Sequence, residues 1–594
     1  MSRMTSRDLS DIAAAAARPS AQGLSSQPGA AAPSRELPPA VFLFALCVAA
    51  LLGAALMAYA TRDGMGLSLD SDAYLTAARQ LLEGKGFTQE GSSGPQPLTH
   101  FPPLFSVLLA GFGWIGIELT TAARGMNLVL VFASVLLAGW MLRRGVGVSR
   151  WTALVGAAAM ALSVDLLFVH AMVWTEGLFI FLMLIALGLL GSFLDCPRRG
   201  VLIAAAAVTA LALLTRYAGA ALVIAGGVTL LVCGVGARRQ RIGDLALFAA
   251  ISCVPTAGWA VRNMLLAGNA ANRRFAWHPP DQDLLEMGVR TLAEWLWPAP
   301  SDLLMWLGFG VVMAWMAVAM LSARNARREG RRPRSAGGPA GGAAAALACF
   351  AFVYVLFLLV SITFFDAHSP LDGRILAPLF VAAMLGVVAE WSRSRPSSAP
   401  GWWARRWPII LTTLAALFLA GQVYRTVTWA ADAPSLHLGY GTRFWVESDL
   451  IAYVRTLPAH APVYSNGRSV IHLHTGRVVK PVPGKIDPST RQPHTNLEQR
   501  LNAMERDLRE RDGYIIYFST IRHRTLVQED DLRGELDLLL IYSGRDGNVY
   551  QWKRDKQAKG RAAIARARAA REAKAAREVR ARKARAKRRA QESR

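Results

Sequence analysis

Apolar stretches long enough, or nearly so, to cross a bilayer recur along the whole chain, and they govern what it can fold into. They lie near 41–60, 125–142, 151–171, 176–195, 201–215, 217–235, 243–266, 303–321, 342–365, 374–391 and 408–425. A helix of about 20 residues rises about 30 Å, the thickness of a hydrocarbon core, and in lipid only helices or closed barrels satisfy their own backbone. The pattern predicts a polytopic α-helical membrane protein with about 11 to 12 spans. With 53% hydrophobic residues, the composition is not that of a soluble enzyme.

The net charge of +25 suggests nucleic acid until it is located. Lys553 to Arg594 alone carries 18 Lys/Arg against 4 Asp/Glu. Other basic clusters are Arg143-Arg144, Arg198-Arg199, "ARRQR" (237–241), "ARNARREGRRPR" (323–334) and "SRSR…ARR" (392–406). All five fall in the cytoplasm if the N-terminus is inside, so the charge is topology signal plus a basic tail, and no nucleic-acid partner is expected. The tail (554–594) is expected to meet anionic lipid or envelope polymer.

This orientation requires "FPPLFSVLLAGFGWIGI" (101–117) not to cross completely; Pro102-Pro103 opens it as a re-entrant or interfacial helix. Residues 61–124 then form one large first extracytoplasmic loop. Within it Tyr74, Leu75, Ala78, Leu81 and Leu82 follow a helical period, which predicts a helix on the bilayer surface. Asp72 reads as its N-cap, since the apolar pattern begins at Ala73.

The remaining organisation is simpler. Residues 1–38 read as a disordered cytoplasmic leader, 39–429 as the membrane domain and 430–553 as a small extracytoplasmic α/β domain. In that domain the pattern predicts helix "SDLIAYVRTL", strand "APVYSN", helix "NLEQRLNAMERDLRERDG", strand "YIIYFST" and a hairpin "LLLIYSGRDGNVYQWK" turned at Asp546-Gly547. It holds no glycine-rich phosphate loop, so substrate positioning or capping is expected of it rather than cofactor binding. Cys47, Cys196, Cys233, Cys253 and Cys349 have neither disulfide-framework nor zinc spacing.

The topology delivers a set of polar groups to the outer surface: Asp70, Asp72, His100, Arg124, His170, Glu176, Arg216, Tyr217, His278, Asp281, Asp366, His368, Asp372 and Arg374. Charges at the ends of apolar segments are costly unless paired or used. Many simply anchor a segment end, the reading preferred for Asp281, His170 or His368 taken singly. Collected on one face, arginines suit a phosphate and a carboxylate suits a general base acting on a hydroxyl.

"DSDAYLTAARQLLEGKGF", "HFPPLFSVLLAGF", "VWTEGLFIFLMLIALGLL", "LTRYAGAALVI" and "DGRILAPLF" resemble, in order, the landmarks of the GT-C integral-membrane glycosyltransferases, over roughly residues 40–425. The resemblance is to bacterial members of the protein O-mannosyltransferase and lipid A aminoarabinose transferase group. It implies an inverting transfer of a sugar from a polyprenyl-phosphate donor to a cell-envelope glycan, lipid or protein outside the cytoplasm, at a bacterial inner membrane.

By the same resemblance Asp70, spaced from Tyr74 as D-x-x-x-Y, is the catalytic base. The implied substrate-binding set is Asp72, Tyr74, His100, Pro103, Glu176, Arg216, Asp372 and Arg374. Some relatives bind a divalent metal, but the sequence shows no ligand cluster dense enough to assert one. The C-terminal domain and tail are not shared family features. Two other classes fit many spans with outward carboxylates: a transporter or flippase of lipid-linked sugars, and a non-catalytic envelope-assembly protein. Transporters tend to carry paired, Gly/Pro-broken helices at corresponding positions in two halves, whereas this chain concentrates its polar groups at one surface and has one long first loop.

Overall fold

The computed structural model describes residues 36–91, 94–273, 275–295, 301–310, 312–314, 341–366, 369–393, 401–487 and 492–553. Most of the leader, the basic loop 323–334, His368 and the tail 554–594 lie outside the described residues.

Besides an apolar helix over Asp302–Ala314, fourteen helices of the membrane part lie among the described residues. In chain order they are α1 (Pro39–Ala60), α2 (Leu69–Leu82), α3 (Leu104–Trp114), α4 (Leu119–Trp140), α5 (Arg150–Ala161), α6 (Val164–Ala171), α7 (Glu176–Asp195), α8 (Arg199–Thr215), α9 (Gly219–Cys233), α10 (Arg238–Ala267), α11 (Gln282–Glu294), α12 (Gly342–Phe364), α13 (Gly373–Arg393) and α14 (Gly401–Leu436). Among the described residues five are long and apolar enough to cross a bilayer: α1, α4 with its π-helical extension to Val146, α7, α10 and α12. The stretch 151–171 is two helices, α5 and α6, bent by 49° into a sixth candidate. The stretch 408–425 lies inside the 36-residue α14, and others form shorter helices, including α8 and α9, which stop on either side of Arg216. Helix α3 has 11 residues after Pro103. At 1.5 Å per residue that is about 16 Å, short of a full crossing.

Helix α2 begins earlier than its apolar pattern suggests. Ser68 is the N-cap: its hydroxyl accepts from the Ser71 N–H, and the Ser71 hydroxyl accepts from the Ser68 N–H. Asp72 is therefore not the cap. Apolar periodicity misses a first turn made of acids, and here Asp70 and Asp72 both lie inside the helix, where carboxylates favour its N-terminal dipole. Tyr74, Leu75 and Ala78 are buried, so the inner face of α2 is packed, while Leu82 is exposed.

Just before α2, the backbone of Gly66-Leu67 is stitched to two distant segments. Gly66 N–H donates to Ala171 O (2.8 Å), and Gly66 O accepts from Val173 N–H (2.9 Å). Leu67 N–H donates to Leu438 O (3.1 Å), and Leu67 O accepts from Tyr440 N–H (2.8 Å). A Cβ on Gly66 would fall 2.0 Å from Met172 Sδ and 3.3 Å from Ala171 O, so a larger residue would require Met172 to move.

Beyond α14 the chain forms a five-stranded mixed sheet in the order β4-β3-β5-β7-β6, with β3 Val463–Ser465, β4 Lys480–Pro481, β5 Tyr514–Phe518, β6 Leu538–Gly544 and β7 Gly547–Trp552; β1 (Thr88–Gly91) and β2 (Gly94–Pro97) form a separate hairpin in the first loop. β3 runs parallel to β4 and β5, and β7 runs antiparallel to β5 and β6. Separate apolar clusters, around Val463, Ile516 and Phe518 and around Ile515, Tyr517 and Tyr550, cover its two faces. The β6–β7 turn is Arg545-Asp546, with Gly544 paired to Gly547, one residue earlier than expected. A short helix, α17 (Arg468–Thr475), connects β3 to β4; α15 (Arg443–Val446) and α16 (Asp449–Val454) precede β3.

Helices α7 and α12 approach through glycine on both sides. A Cβ on Gly191 would stand 2.5 Å from Ala343 N, and one on Gly342 would stand 2.3 Å from Gly191 O. Backbone cannot yield as a flexible side chain can. Gly191→Leu should therefore destabilise the protein by more than about 2 kcal/mol, lowering its melting temperature in detergent; unchanged melting would show that the two helices separate freely.

Candidate active site

Four charged side chains from four parts of the membrane domain form one chain of ion pairs. Glu176, at the start of α7, is 1% exposed. Its Oε1 accepts from Arg374 Nε and Arg216 Nη1, both at 2.5 Å. Arg374, in the first turn of α13, turns its Nη2 to Asp70 Oδ2, also at 2.5 Å. Arg216 sits in the break between α8 and α9 and also donates to Thr175 Oγ1 (2.9 Å). Two guanidiniums and two carboxylates compensate one another, which permits burial that neither sign would tolerate alone.

Trp174 supports the network from below. Its ring lies 3.9 Å from Arg374 Cζ, and its Nε1–H donates to Ser68 Oγ (2.7 Å). The N-cap of α2 and the cation that holds Asp70 thus share one indole. Tyr74 is buried edge-on against Phe101 (4.8 Å) and Phe105 (5.3 Å). Burial first, and then the carboxylate of Asp70, hold its phenol above the ordinary range, so it stays neutral.

Above the network lies a cleft of roughly 310 Å³ whose lining includes Asp70, Asp72, His100, Arg468, Ser469 and His472. Asp70 is the one member of the buried network that also lines this cleft. His100 stands edge-on to Phe101 (4.7 Å); burial, and then Arg273, hold its imidazole below the ordinary range. Asp72 Oδ1 meets His472 Nδ1 at 2.6 Å, bringing α17 down onto α2.

The other candidates have identifiable structural positions. Asp372 caps α13, accepting from the N–H groups of Arg374 (3.1 Å) and Ile375 (3.0 Å). Asp281 caps α11 through Leu284 N–H. Pro103 precedes α3 and accepts from Val107 N–H. Arg124 donates to Thr61 Oγ1 and Ala58 O at the end of α1. Tyr217 donates to Thr99 O, and Asp366 pairs with Arg273. His170 is buried with Nδ1 on Leu166 O, and His278 is buried without a partner on either ring nitrogen.

His472, Arg468 and Trp174 were not singled out from the sequence. Trp174 stands directly before the Thr175-Glu176 pair; His472 lies in "RSVIHLHT", a helix too short to announce itself by period. Among the described residues no three His, Cys, Asp or Glu side chains converge; Asp70 pairs with Arg374 and Asp72 with His472.

The fold is the GT-C fold that the sequence landmarks imply. The chain is similar to the structure of ArnT from Cupriavidus metallidurans bound to undecaprenyl phosphate, with TM-score 0.52 and 14% identity, covering 87% of this chain and 99% of that one. It is similar also to the apo state of ArnT from the same organism, with TM-score 0.51 and 14% identity, covering 86% and 98%. No family model matches the sequence, and no curated protein is similar to it by sequence.

The network makes a stability prediction. Glu176→Gln leaves Arg216 and Arg374 with Asp70 as their one acidic partner and should cost about 3–5 kcal/mol. Adding Arg216→Met, which removes the stranded cation, should recover much of the loss. Thermal unfolding of the two variants checks this: additive losses would show that Glu176 and Arg216 are not coupled.

Proposed function

We propose that this protein is a membrane glycosyltransferase that moves a sugar from a polyprenyl-phosphate donor to an acceptor outside the cytoplasm. The observation that carries this reading is the placement of Asp70: one carboxylate, held by Arg374, shared between a buried pair of guanidiniums and an open polar cleft. The likeness in fold to a protein bound to undecaprenyl phosphate supports the donor class.

Before substrate binds, Arg374 is shared between Glu176 and Asp70. A phosphodiester brings a new anion, and a planar guanidinium exchanges one oxyanion for another with little reorganisation. Glu176 keeps Arg374 oriented while the phosphate takes the place of Asp70. The freed carboxylate then faces the acceptor. As the acceptor oxygen or nitrogen attacks the anomeric carbon, its proton passes to Asp70. The bond from that carbon to the phosphate oxygen breaks, and the electron pair leaves on the phosphate, where Arg374 and Arg216 stabilise it. Attack from the side opposite the phosphate inverts the anomeric centre.

Asp70→Asn keeps size and hydrogen bonding but removes basicity, so turnover should fall by roughly 10²-fold or more with little change in protein level. Arg374→Lys keeps the charge but loses the fork, and should weaken both donor binding and turnover. Purified variants assayed with a panel of polyprenyl-phosphate sugars check both; near-wild-type turnover by Asp70→Asn would remove it as the base. The reading also places the cleft outside an inner membrane. A cysteine at the exposed Arg506, in a background without the five native cysteines, should react with a membrane-impermeant thiol reagent in intact, outer-membrane-permeabilised cells; silence there, with labelling after lysis, would reverse the orientation.

A further inference from the structure

The mechanism above leaves one polar pair of the cleft without a task. Asp72 Oδ1 and His472 Nδ1 are 2.6 Å apart and 400 residues apart in the chain. Their side chains are 16% and 15% exposed, and both line the cleft with Asp70. In a neutral imidazole the nitrogen bonded to a carboxylate carries the ring proton, and the opposite nitrogen presents a lone pair. Among the described residues no hydrogen bond engages Nε2 of His472. Its neighbour on α17 is arranged otherwise: His474 Nε2 is bonded to Tyr440 O at 2.8 Å.

The surroundings of that lone pair narrow what it would meet. The same wall carries Arg468, exposed, and Ser469, whose buried hydroxyl has no partner. A lone pair beside donors suits a ligand that both gives and takes hydrogen bonds, as hydroxyls do, and disfavours a bare phosphate at Nε2.

We infer that Asp72 and His472 form an acceptor-orienting dyad: Asp72 fixes the tautomer, and Nε2 of His472 takes a hydrogen bond from a hydroxyl of a glycan or polyol acceptor. This deepens the proposed glycosyl transfer and rests on it. His472 touches the acceptor and Asp72 is a positioning residue acting through it. The dyad makes and breaks no covalent bond; the proton lost on transfer still goes to Asp70. Acceptor choice is then carried by the extramembrane unit and donor choice by the membrane helices.

Two substitutions separate this role from a clamp between α2 and α17. In His472→Asn the amide nitrogen takes the place of Nδ1 and keeps the bond to Asp72, but the Nε2 acceptor is gone. In His472→Gln the amide reaches the place of Nε2. With a polyprenyl-phosphate sugar as donor and methyl glucoside as acceptor, His472→Asn should lower the ratio of transfer to hydrolysis about 10-fold, as expected for one lost hydrogen bond. His472→Gln should recover part of it. A wild-type ratio in His472→Asn overturns the inference and leaves a clamp.

A readout that needs no turnover keeps the inference separate from the proposed activity. In the full-length protein in lipid nanodiscs, diethyl pyrocarbonate should modify His472 faster than His474, and methyl glucoside should slow modification of His472. An unreactive His472, or modification that methyl glucoside does not slow, overturns the dyad whether or not any sugar is transferred.

Discussion

Arg374 is the cation around which this site is assembled. It touches Asp70 from α2, Glu176 from α7 and the ring of Trp174 from the segment between α6 and α7. A buried guanidinium is tolerated only where anions and π-density surround it, so these three contacts come as a set. The arrangement holds net charge near zero while keeping one carboxylate at the cleft. It is also uneven: Glu176 is buried, whereas Asp70 borders the cleft.

The backbone makes this geometry reproducible. Gly66 and Leu67 are fixed by four backbone hydrogen bonds to the segments around Ala171 and Leu438, and α2 is capped one residue later at Ser68. Asp70 then has little freedom except at its own χ angles. Arg443 adds a two-pronged pair with Asp63 (2.9 and 2.6 Å), and Arg62 reaches Ala430 O and Ala431 O, so the far end of α14 is tied to the end of α1. The extramembrane sheet is thereby anchored to the same short stretch of chain that presents the carboxylates.

How much of this was legible in the sequence depends on distance along the chain. Local signals carried well: Pro102-Pro103 before the short α3, the helix spanning Leu497–Glu510, and charges at the ends of apolar segments. Asp70, Glu176, Arg216 and Arg374 were expected on one outer face, but which of them pair was not legible, because the pairs join residues 198 and 304 positions apart. The start of α2 was misjudged because its first turn is polar. Helix α17 was missed because eight residues offer barely two turns of periodicity, and β4 because it is two residues long. The resemblance carried the fold; it could not supply His472, which lies outside the stretch it covers.

The stitching between Gly66-Leu67 and Leu438–Tyr440 also fixes the order in which the protein can mature. A ribosome adding about 5–20 residues each second needs on the order of 20–80 s to pass from Asp72 to its partner, 400 residues later. Through that interval Asp72 lacks His472, and until Arg374 is made Asp70 lacks its cation. A chain released early would hold these carboxylates without a finished cleft, so translation itself acts as a timer on the emergence of the assembled cluster.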